Sequence, residues 1–272
     1  MKNWKKYAAI AGVAVLVLIF CLPMYFALKG DFSQNSFMAS IFAVMFVAVM
    51  AYAMLMLFRV LNKKKADRQG TEQIKNVVFD LGRVLVDYNW RGYLETFGFS
   101  EEKFKKIADA TFLSPVWAEM DRGTKTYEEY VEEFVAQAPE YEKDIRKVIE
   151  GCYKSMHRMP YAETWVKYLK QQGYGLYVIS NYGEYTRERT RKEMPFLKEM
   201  DGIVFSCDVQ QIKPEPEIYQ VLLERYQLVA GECVFIDDME VNCEGARAQG
   251  MHAICFKSFK QAAAELEKLG VK

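Results

Sequence analysis

The sequence has little of several residue types on which common functional sites depend. Its two histidines, His157 and His252, stand far apart, so a histidine-based metal site is not expected. Its six cysteines include no Cys-x-x-Cys pair, and several lie inside apolar runs, which indicates free, mostly buried thiols. The formal net charge is zero, so bulk electrostatics give no reason to expect nucleic-acid binding. There are also no internal repeats and no low-complexity tract.

Long apolar runs, by contrast, are present near the start of the chain. Residues 8–28 and 37–58 each have about the twenty residues that a helix needs to cross a bilayer, and neither contains a charged side chain. We therefore predict a transmembrane hairpin over residues 1–58, with one helix in each stretch. A cleaved signal peptide is the competing interpretation of the first stretch, but its apolar core is too long and no clear cleavage site follows it.

The basic residues around these stretches predict their orientation. Lys2, Lys5 and Lys6 precede the first stretch, residues 59–73 form a basic linker after the second, and residues 29–36 between them contain one Lys and one Asp. Under the positive-inside rule, both termini and everything after the linker face the cytoplasm.

From residue 74 onward, short apolar runs alternate with helical patterns. Strands buried on both faces are expected at residues 77–80, 176–180, 203–206, 234–237 and 253–256. Helices are expected at residues 161–171, 217–226, 243–249 and 259–269. This alternation predicts an α/β domain over residues 74–272, built on a doubly wound parallel sheet.

An insert at residues 91–160, between the first two strands, is expected to be all helical. Its apolar residues recur at helical spacing in two stripes, which we interpret as packing faces: Tyr127, Tyr130, Val131 and Phe134, then Ile145, Val148, Ile149 and Cys152.

Four short segments carry polar side chains at or near strand ends. They are VVFD ending at Asp80, LYVISN ending at Ser180 and Asn181, IKPEP carrying Lys213, and CVFIDD ending at Asp237 and Asp238. Ligands of open α/β sheets bind beyond the carboxyl ends of the strands, so these side chains are expected to converge on one site.

In this order the four segments resemble the motifs of the haloacid dehalogenase-like (HAD) hydrolases, most of which are phosphatases. The insert matches the position of the small helical cap domain in one HAD subclass, and the resemblance covers residues 74–272. It implies that Asp80 is a nucleophile that forms an aspartyl-phosphate. It also implies that Ser180 and Asn181 hold the phosphoryl oxygens through a hydroxyl and a backbone N–H, and that Lys213 neutralises nucleophile and phosphate.

The same resemblance implies a Mg²⁺ site. Its ligands would be Asp80, the backbone carbonyl of Gly82 and Asp238, with Asp237 and Asn242 in supporting positions. Two adjacent acids favour a metal-dependent phosphatase over a metal-free dehalogenase.

Gly82 is the main departure from the family pattern, which usually has a second Asp there as general acid. Protonation of a leaving group is worth about 10²–10⁴-fold in rate. Some HAD phosphatases similarly carry Asp-Leu-Gly, so we expect retained activity on good leaving groups, such as anomeric sugar, acyl or aryl phosphates. Asp87 is a nearby acid for which we favour a structural role.

Other positions near the motifs have no firm assignment from the sequence. Arg83 either contacts substrate charge or points outward. Trp117, Met120 and Asp121 precede Gly123 in a segment of the insert that often faces the active site in relatives.

The sequence thus predicts a membrane-anchored, Mg²⁺-dependent phosphatase for a small phosphomonoester such as a sugar phosphate. The alternative is a membrane-tethered binding or scaffold protein that keeps the fold and has lost turnover; the retained Asp80, Lys213 and Asp238 argue against it. A phosphomutase would need the missing acid, and nothing in the insert indicates a lipid phosphate. The oligomeric state is left open.

Overall fold

A five-stranded parallel sheet forms the centre of the structure, a computed structural model that describes residues 73–272. In spatial order its strands are β5 (Gly202–Phe205), β4 (Gly175–Ser180), β1 (Asn76–Phe79), β6 (Cys233–Asp237) and β7 (His252–Cys255). The predicted hairpin, residues 1–58, and residues 59–72 of the predicted linker lie outside the described residues. Within residues 73–272, no helix combines the length and apolar character that a membrane span requires.

The strand order places the carboxyl end of β1 at the point where the chain changes direction across the sheet. Strand β1 pairs with β4 on one side and with β6 on the other, so that Val78 lies opposite both Tyr177 and Phe235. In open α/β sheets the ligand crevice forms at such a switch point. The residues directly after β1, β4 and β6 therefore meet there.

Helices cover both faces of the sheet, as predicted for a doubly wound domain. On one face Phe79 and Val178 pack against α6 (Ala162–Gln171) and α11 (Phe259–Lys268). On the other face Val78 and Phe235 pack against α9 (Pro216–Arg225) and α10 (Glu240–Ala248). Neighbouring residues of β1 enter opposite apolar clusters because side chains alternate along a strand.

The remaining elements belong to the insert or to the loops beyond the sheet. The insert contains α1 (Trp90–Glu95), α2 (Glu101–Ala110), α3 (Pro115–Arg122), α4 (Tyr127–Gln137) and α5 (Glu142–Glu150). Two short helices follow strands of the sheet, α7 (Glu184–Thr190) and α8 (Ser206–Val209). Single 3₁₀ turns occur at Pro139–Tyr141, Cys152–Ser155, Arg191–Glu193, Pro195–Glu199 and Ala230–Glu232.

The two apolar stripes of the insert are packing faces. Tyr130, Phe134, Ile145 and Ile149 lie in one buried cluster, and Val148 and Cys152 lie in a second.

The expectation that residues 91–160 are all helical is wrong at the end of the insert. Strand β3 (Met156–Arg158) pairs antiparallel with β2 (Val86–Tyr88), with Tyr88 opposite Met156 and Val86 opposite Arg158. A three-residue strand is too short to show a period-two pattern, and its partner lies outside the insert. The pair joins the two ends of the insert where they leave the sheet.

The five strands of the sheet were predicted within one residue at each end. Ser206 begins α8 instead of ending β5. Helix α10 begins at Glu240, three residues before the predicted start. The prediction missed these residues because Glu240, Val241 and Asn242 show no apolar periodicity. All five cysteines in residues 73–272 are free thiols, and Cys152, Cys233 and Cys243 are buried.

Candidate active site

Asp80, the predicted nucleophile, follows β1 directly and is 7% exposed. Its Oδ1 accepts a hydrogen bond from the Ser180 hydroxyl at 2.9 Å and lies 2.7 Å from Nζ of Lys213. The other oxygen lies on the side of Gly82, since a Cβ at Gly82 would be 3.8 Å from Oδ2. One oxygen of Asp80 is thus held by Ser180 and Lys213, while the second lies on the side of Gly82.

Lys213 lies between two buried carboxylates. Its Nζ is 2.7 Å from Asp80 Oδ1 and 2.7 Å from Asp237 Oδ2, and the residue is 4% exposed. Burial acts to lower the pKa of Lys213, but the two carboxylates outweigh it and raise that pKa above its usual value. The raised pKa favours the protonated, positively charged form of Lys213 beside Asp80.

Asp237 is fully buried and connects three elements of the site. Besides the contact with Lys213, its carboxylate accepts hydrogen bonds from the Met239 N–H at 2.8 Å and from Asn242 Nδ2 at 3.0 and 3.2 Å. The structure thus places both predicted supporting residues, Asp237 and Asn242, where they orient Lys213.

Asn181 links the end of β4 to the loop that carries Lys213. Its Oδ1 accepts the Lys213 N–H at 2.8 Å, and its Nδ2 donates to the Lys213 carbonyl at 3.1 Å. The side chain of Asn181 positions the lysine, while the predicted contact with phosphate is assigned to its backbone N–H. The Ser180 hydroxyl, also predicted to bind phosphate, donates to Asp80 in this structure.

The pKa of Asp80 is raised to about 6, chiefly by burial, and Lys213 opposes that effect. A pKa of about 6 still favours the ionised carboxylate at neutral pH.

Three carboxylates could hold a metal ion beside the nucleophile. One oxygen each of Asp80, Asp237 and Asp238 lies within 4.8 Å of the others. Carboxylate oxygens are the ligands that Mg²⁺ prefers, so the donor set fits this ion. Asp237 already accepts hydrogen bonds from Lys213, Met239 and Asn242, so its carboxylate is less available to a metal than those of Asp80 and Asp238.

Arg83, left unassigned by the sequence, contacts the predicted metal ligand Asp238. Its Nη1 lies 3.5 Å from Asp238 Oδ2, and Arg83 is the more exposed partner. Burial and the neighbouring Asp237 raise the pKa of Asp238, and Arg83 acts in the opposite direction. The positive charge of Arg83 therefore offsets part of the negative charge of Asp238.

A cavity of about 80 Å³ lies between the sheet and the insert. Gly82 and Asn181 line it from the sheet side, and Trp117 and Asp121 line it from α3 of the insert. Two of the three insert residues singled out in the sequence thus reach the site, whereas Met120 is buried within the insert.

Asp87 does not reach this cavity. It lies on β2 between Val86 and Tyr88, both of which line the cavity, while Asp87 lines a separate depression with Lys154 and His157. The difference follows from the alternation of side chains along a strand.

Sequence reasoning missed Tyr88 and Tyr182, which also line the cavity. Tyr182 follows Asn181 directly, and its hydroxyl contacts the Thr190 hydroxyl at 2.8 Å. Within residues 73–272 the Tyr88 hydroxyl is buried without a hydrogen-bond partner. Position next to a motif could have indicated Tyr182, but nothing in the sequence marks Tyr88.

Comparison with known proteins establishes the family. The sequence model of the haloacid dehalogenase-like hydrolase family matches residues 74–250, which is well over half of the sequence. The chain therefore belongs to that family.

Individual relatives are distant or only partly covered. The mouse bifunctional epoxide hydrolase 2 is 32% identical over 105 residues, which is 37% of this chain and 19% of that protein. The sesquiterpene phosphatase astK of Aspergillus oryzae is 26% identical over 200 residues, covering 72% of this chain and 96% of that protein. A HAD family enzyme of Bacteroides thetaiotaomicron, solved with magnesium and inorganic phosphate, is 21% identical with a TM-score of 0.55, over 70% of this chain and 98% of that one. The last similarity shows the shared fold.

Proposed function

We propose that the protein is a Mg²⁺-dependent phosphatase that hydrolyses a small phosphomonoester through an aspartyl-phosphate intermediate. The observation that carries this proposal is the arrangement at Asp80. Lys213 and Ser180 hold one of its oxygens, while the other lies on the side of Gly82. Asp80 also belongs to a cluster of three carboxylates that includes Asp238.

Each residue has a distinct task in this scheme. Asp80 Oδ2 attacks the phosphorus atom, and Lys213 offsets the negative charge of nucleophile and phosphoryl group. The backbone N–H of Asn181 binds a phosphoryl oxygen, and its side chain fixes Lys213. Asp80, Asp238 and the Gly82 carbonyl would hold Mg²⁺, which when bound neutralises charge on the phosphoryl group. Water then hydrolyses the aspartyl-phosphate.

The relatives support a phosphoryl substrate over a halogenated one. The Aspergillus relative is a phosphatase, and the Bacteroides enzyme was solved with magnesium and phosphate together. The cavity of about 80 Å³ leaves little room for a leaving group while the insert is in this position. A small phosphomonoester such as a sugar phosphate is therefore the proposed substrate class.

Anchoring in the membrane is part of the same proposal. Residues 8–28 and 37–58 supply the two spans, and the flanking basic residues favour a cytoplasmic catalytic domain. The anchor would keep the enzyme beside the membrane without entering the chemistry.

The test is phosphate release by the full chain in mild detergent, with p-nitrophenyl phosphate and a panel of sugar phosphates. We expect turnover that requires Mg²⁺, is abolished by EDTA, and is lost in Asp80→Asn. Asp238→Asn should raise the Mg²⁺ concentration needed for half-maximal rate. Asp87→Asn, an equally conservative change in an acid that faces away from the cavity, should leave the rate unchanged. A folded protein that binds Mg²⁺ but turns over none of these substrates would support the scaffold instead.

A further inference from the structure

Asp121 lies at the point where the insert is attached to the sheet. Its Oδ1 accepts the Gly183 N–H at 3.0 Å, and its backbone carbonyl accepts from the Ser206 hydroxyl. The next residue, Arg122, forms a two-pronged ion pair with Glu215 at 2.9 and 2.7 Å. Glu215 follows the catalytic Lys213 by two residues, so the end of α3 is fixed relative to the catalytic loop.

This attachment brings Asp121 to the place where an acid is missing. Asp121 and Gly82 line the same cavity, and among the described residues lining it Asp121 is the only carboxylic acid. The charges of Asp80 and Lys213 both act on the Asp121 carboxyl group. A carboxylic acid of the insert therefore lines the cavity that Gly82 also lines.

A second polar residue lines the same cavity. It is Tyr88, whose hydroxyl is buried without a hydrogen-bond partner among residues 73–272. A buried hydroxyl left without a partner costs roughly 1–3 kcal/mol, so such a group usually pairs with water or ligand. The cavity is therefore built to receive a polar group beside Asp121.

We propose that Asp121 of the insert is the general acid and base of the reaction, in place of the Asp that is absent at Gly82. This inference rests on the phosphatase function proposed above.

The proton transfers balance over the two half-reactions. Asp80 Oδ2 bonds to phosphorus, the bond from phosphorus to the ester oxygen breaks with its electron pair on that oxygen, and the Asp121 carboxyl group donates its proton to it. The alcohol leaves, and Asp121 is now a carboxylate. Water then attacks the phosphorus of the aspartyl-phosphate, Asp121 takes the proton of that water, and the bond to Asp80 breaks with its electron pair on the carboxylate.

The electrostatics of Asp121 suit this task. Burial between the insert and the sheet raises its pKa to about 7, the Gly183 N–H opposes this, and Asp80 adds to it. An acid–base catalyst works best when its pKa lies near the working pH, because both of its forms are then populated.

The first experiment compares leaving groups in the full chain. Asp121→Asn should lower kcat/KM for an alkyl phosphate by about 10²–10⁴-fold and that for p-nitrophenyl phosphate by no more than about tenfold, because an aryl oxide leaves without a proton. Asn keeps an oxygen that accepts the Gly183 N–H, so the attachment of α3 is retained. Asp87→Asn should change neither value. The preference for good leaving groups, which was expected from Gly82 alone, would then be seen in Asp121→Asn and not in the natural chain.

A rescue variant separates catalysis from structure. A Cβ at Gly82 would meet Asp80 Oδ2 at an ordinary 3.8 Å and nothing closer, so the backbone there accepts the Cβ of an Asp without a clash. Gly82→Asp combined with Asp121→Asn should recover at least about tenfold of the lost kcat/KM on the alkyl phosphate. A purely structural role for Asp121 predicts no recovery.

The pH profile supplies a third readout. A general acid must be protonated, so kcat/KM for the alkyl phosphate should fall as the pH rises above about 7, and this fall should be absent in Asp121→Asn. The titratable groups that face Asp121 from the neighbouring elements are Asp80, Lys213, Tyr88, Tyr182, Cys152 and Cys207.

The outcomes separate the two proposals. If the natural chain turns over no phosphate ester, the phosphatase proposal itself fails. If it is active and Asp121→Asn slows alkyl and aryl esters equally, or slows neither, the assignment of Asp121 is wrong and the phosphatase stands.

Discussion

Lys213 pairs with two buried carboxylates, those of Asp80 and Asp237, at the centre of the site. Removal of one member of a buried ion pair is strongly destabilising, because it leaves a charge without a partner in a poorly solvated place. Lys213→Met should therefore abolish phosphatase activity and lower the free energy of unfolding by about 3–5 kcal/mol at pH 7.5, measured by urea denaturation.

This loss of stability should depend on pH. Without the lysine, Asp80 keeps the burial that raises its pKa above the unfolded value, so the folded variant takes up a proton as the pH falls. A group with a raised folded pKa favours folding at low pH, and the deficit of Lys213→Met should be smaller at pH 5 than at pH 7.5. Lys167→Met, which removes an exposed lysine paired with Glu163 at 2.8 Å, serves as the control and should show little loss at either pH. An equal deficit for the two variants would contradict the account.

The residues that could be predicted are those attached to strand ends. Asp80, Ser180 and Asp237 end or directly follow buried apolar runs, and parallel strands bring such residues together. The position of Asp121 could not be derived, because it depends on hydrogen bonds from Gly183 and Ser206, which are remote in the sequence. The bond of Asp237 to Lys213 is likewise a long-range contact that no local pattern shows.

At the scale of elements, helix α3 holds the insert against the sheet, and Gly123 ends it. Gly123 has φ +75°, and a Cβ there would lie 2.9 Å from the backbone Cα of Cys207. A side chain would therefore be strained by the backbone conformation and would also push α3 away from α8. Gly123→Ala should lower both the melting temperature and kcat/KM, since the displaced end of α3 carries Asp121.

Gly98 provides the matched control for this prediction. It also lies in the insert with a left-handed backbone, φ +66°, but a Cβ there meets nothing within 4 Å. Gly98→Ala should cost only the left-handed strain, roughly 1–2 kcal/mol, and leave kcat/KM unchanged. If the two substitutions have the same effect on kcat/KM, close packing of α3 on α8 does not position the catalytic acid.

Elements differ in how well the sequence encodes them. Strands β4 and β6 are apolar runs that are buried along almost their whole length, so hydropathy indicates where they lie. The β2–β3 pair has three residues per strand and joins segments far apart in the chain, so its pairing depends on tertiary contacts. The start of α10 is marked neither by apolar periodicity nor by a side-chain cap, because its N-cap residue is Met239 and no side-chain cap hydrogen bond is formed there.

At the scale of the whole molecule, we expect the described unit and the predicted hairpin to have separate tasks. Every residue assigned to the chemistry lies in Thr71–Lys272, which forms one compact unit. A unit with its own core is expected to fold and act alone. Residues 71–272 should therefore show the same kcat/KM as the full chain on soluble phosphate esters.

The hairpin should decide only where that activity is found. Two apolar stretches of about twenty residues are enough to retain a protein in a bilayer, so the full chain should stay in the membrane pellet after an alkaline carbonate wash. Residues 71–272 should appear in the supernatant. Because the basic flanks favour a cytoplasmic domain, protease added to intact cells should leave the catalytic unit whole and should digest it only after lysis. Digestion in intact cells would show that the predicted orientation is wrong. Release of the full chain by carbonate would show that the predicted anchor is wrong, but it would not affect the roles proposed for Asp80 and Lys213.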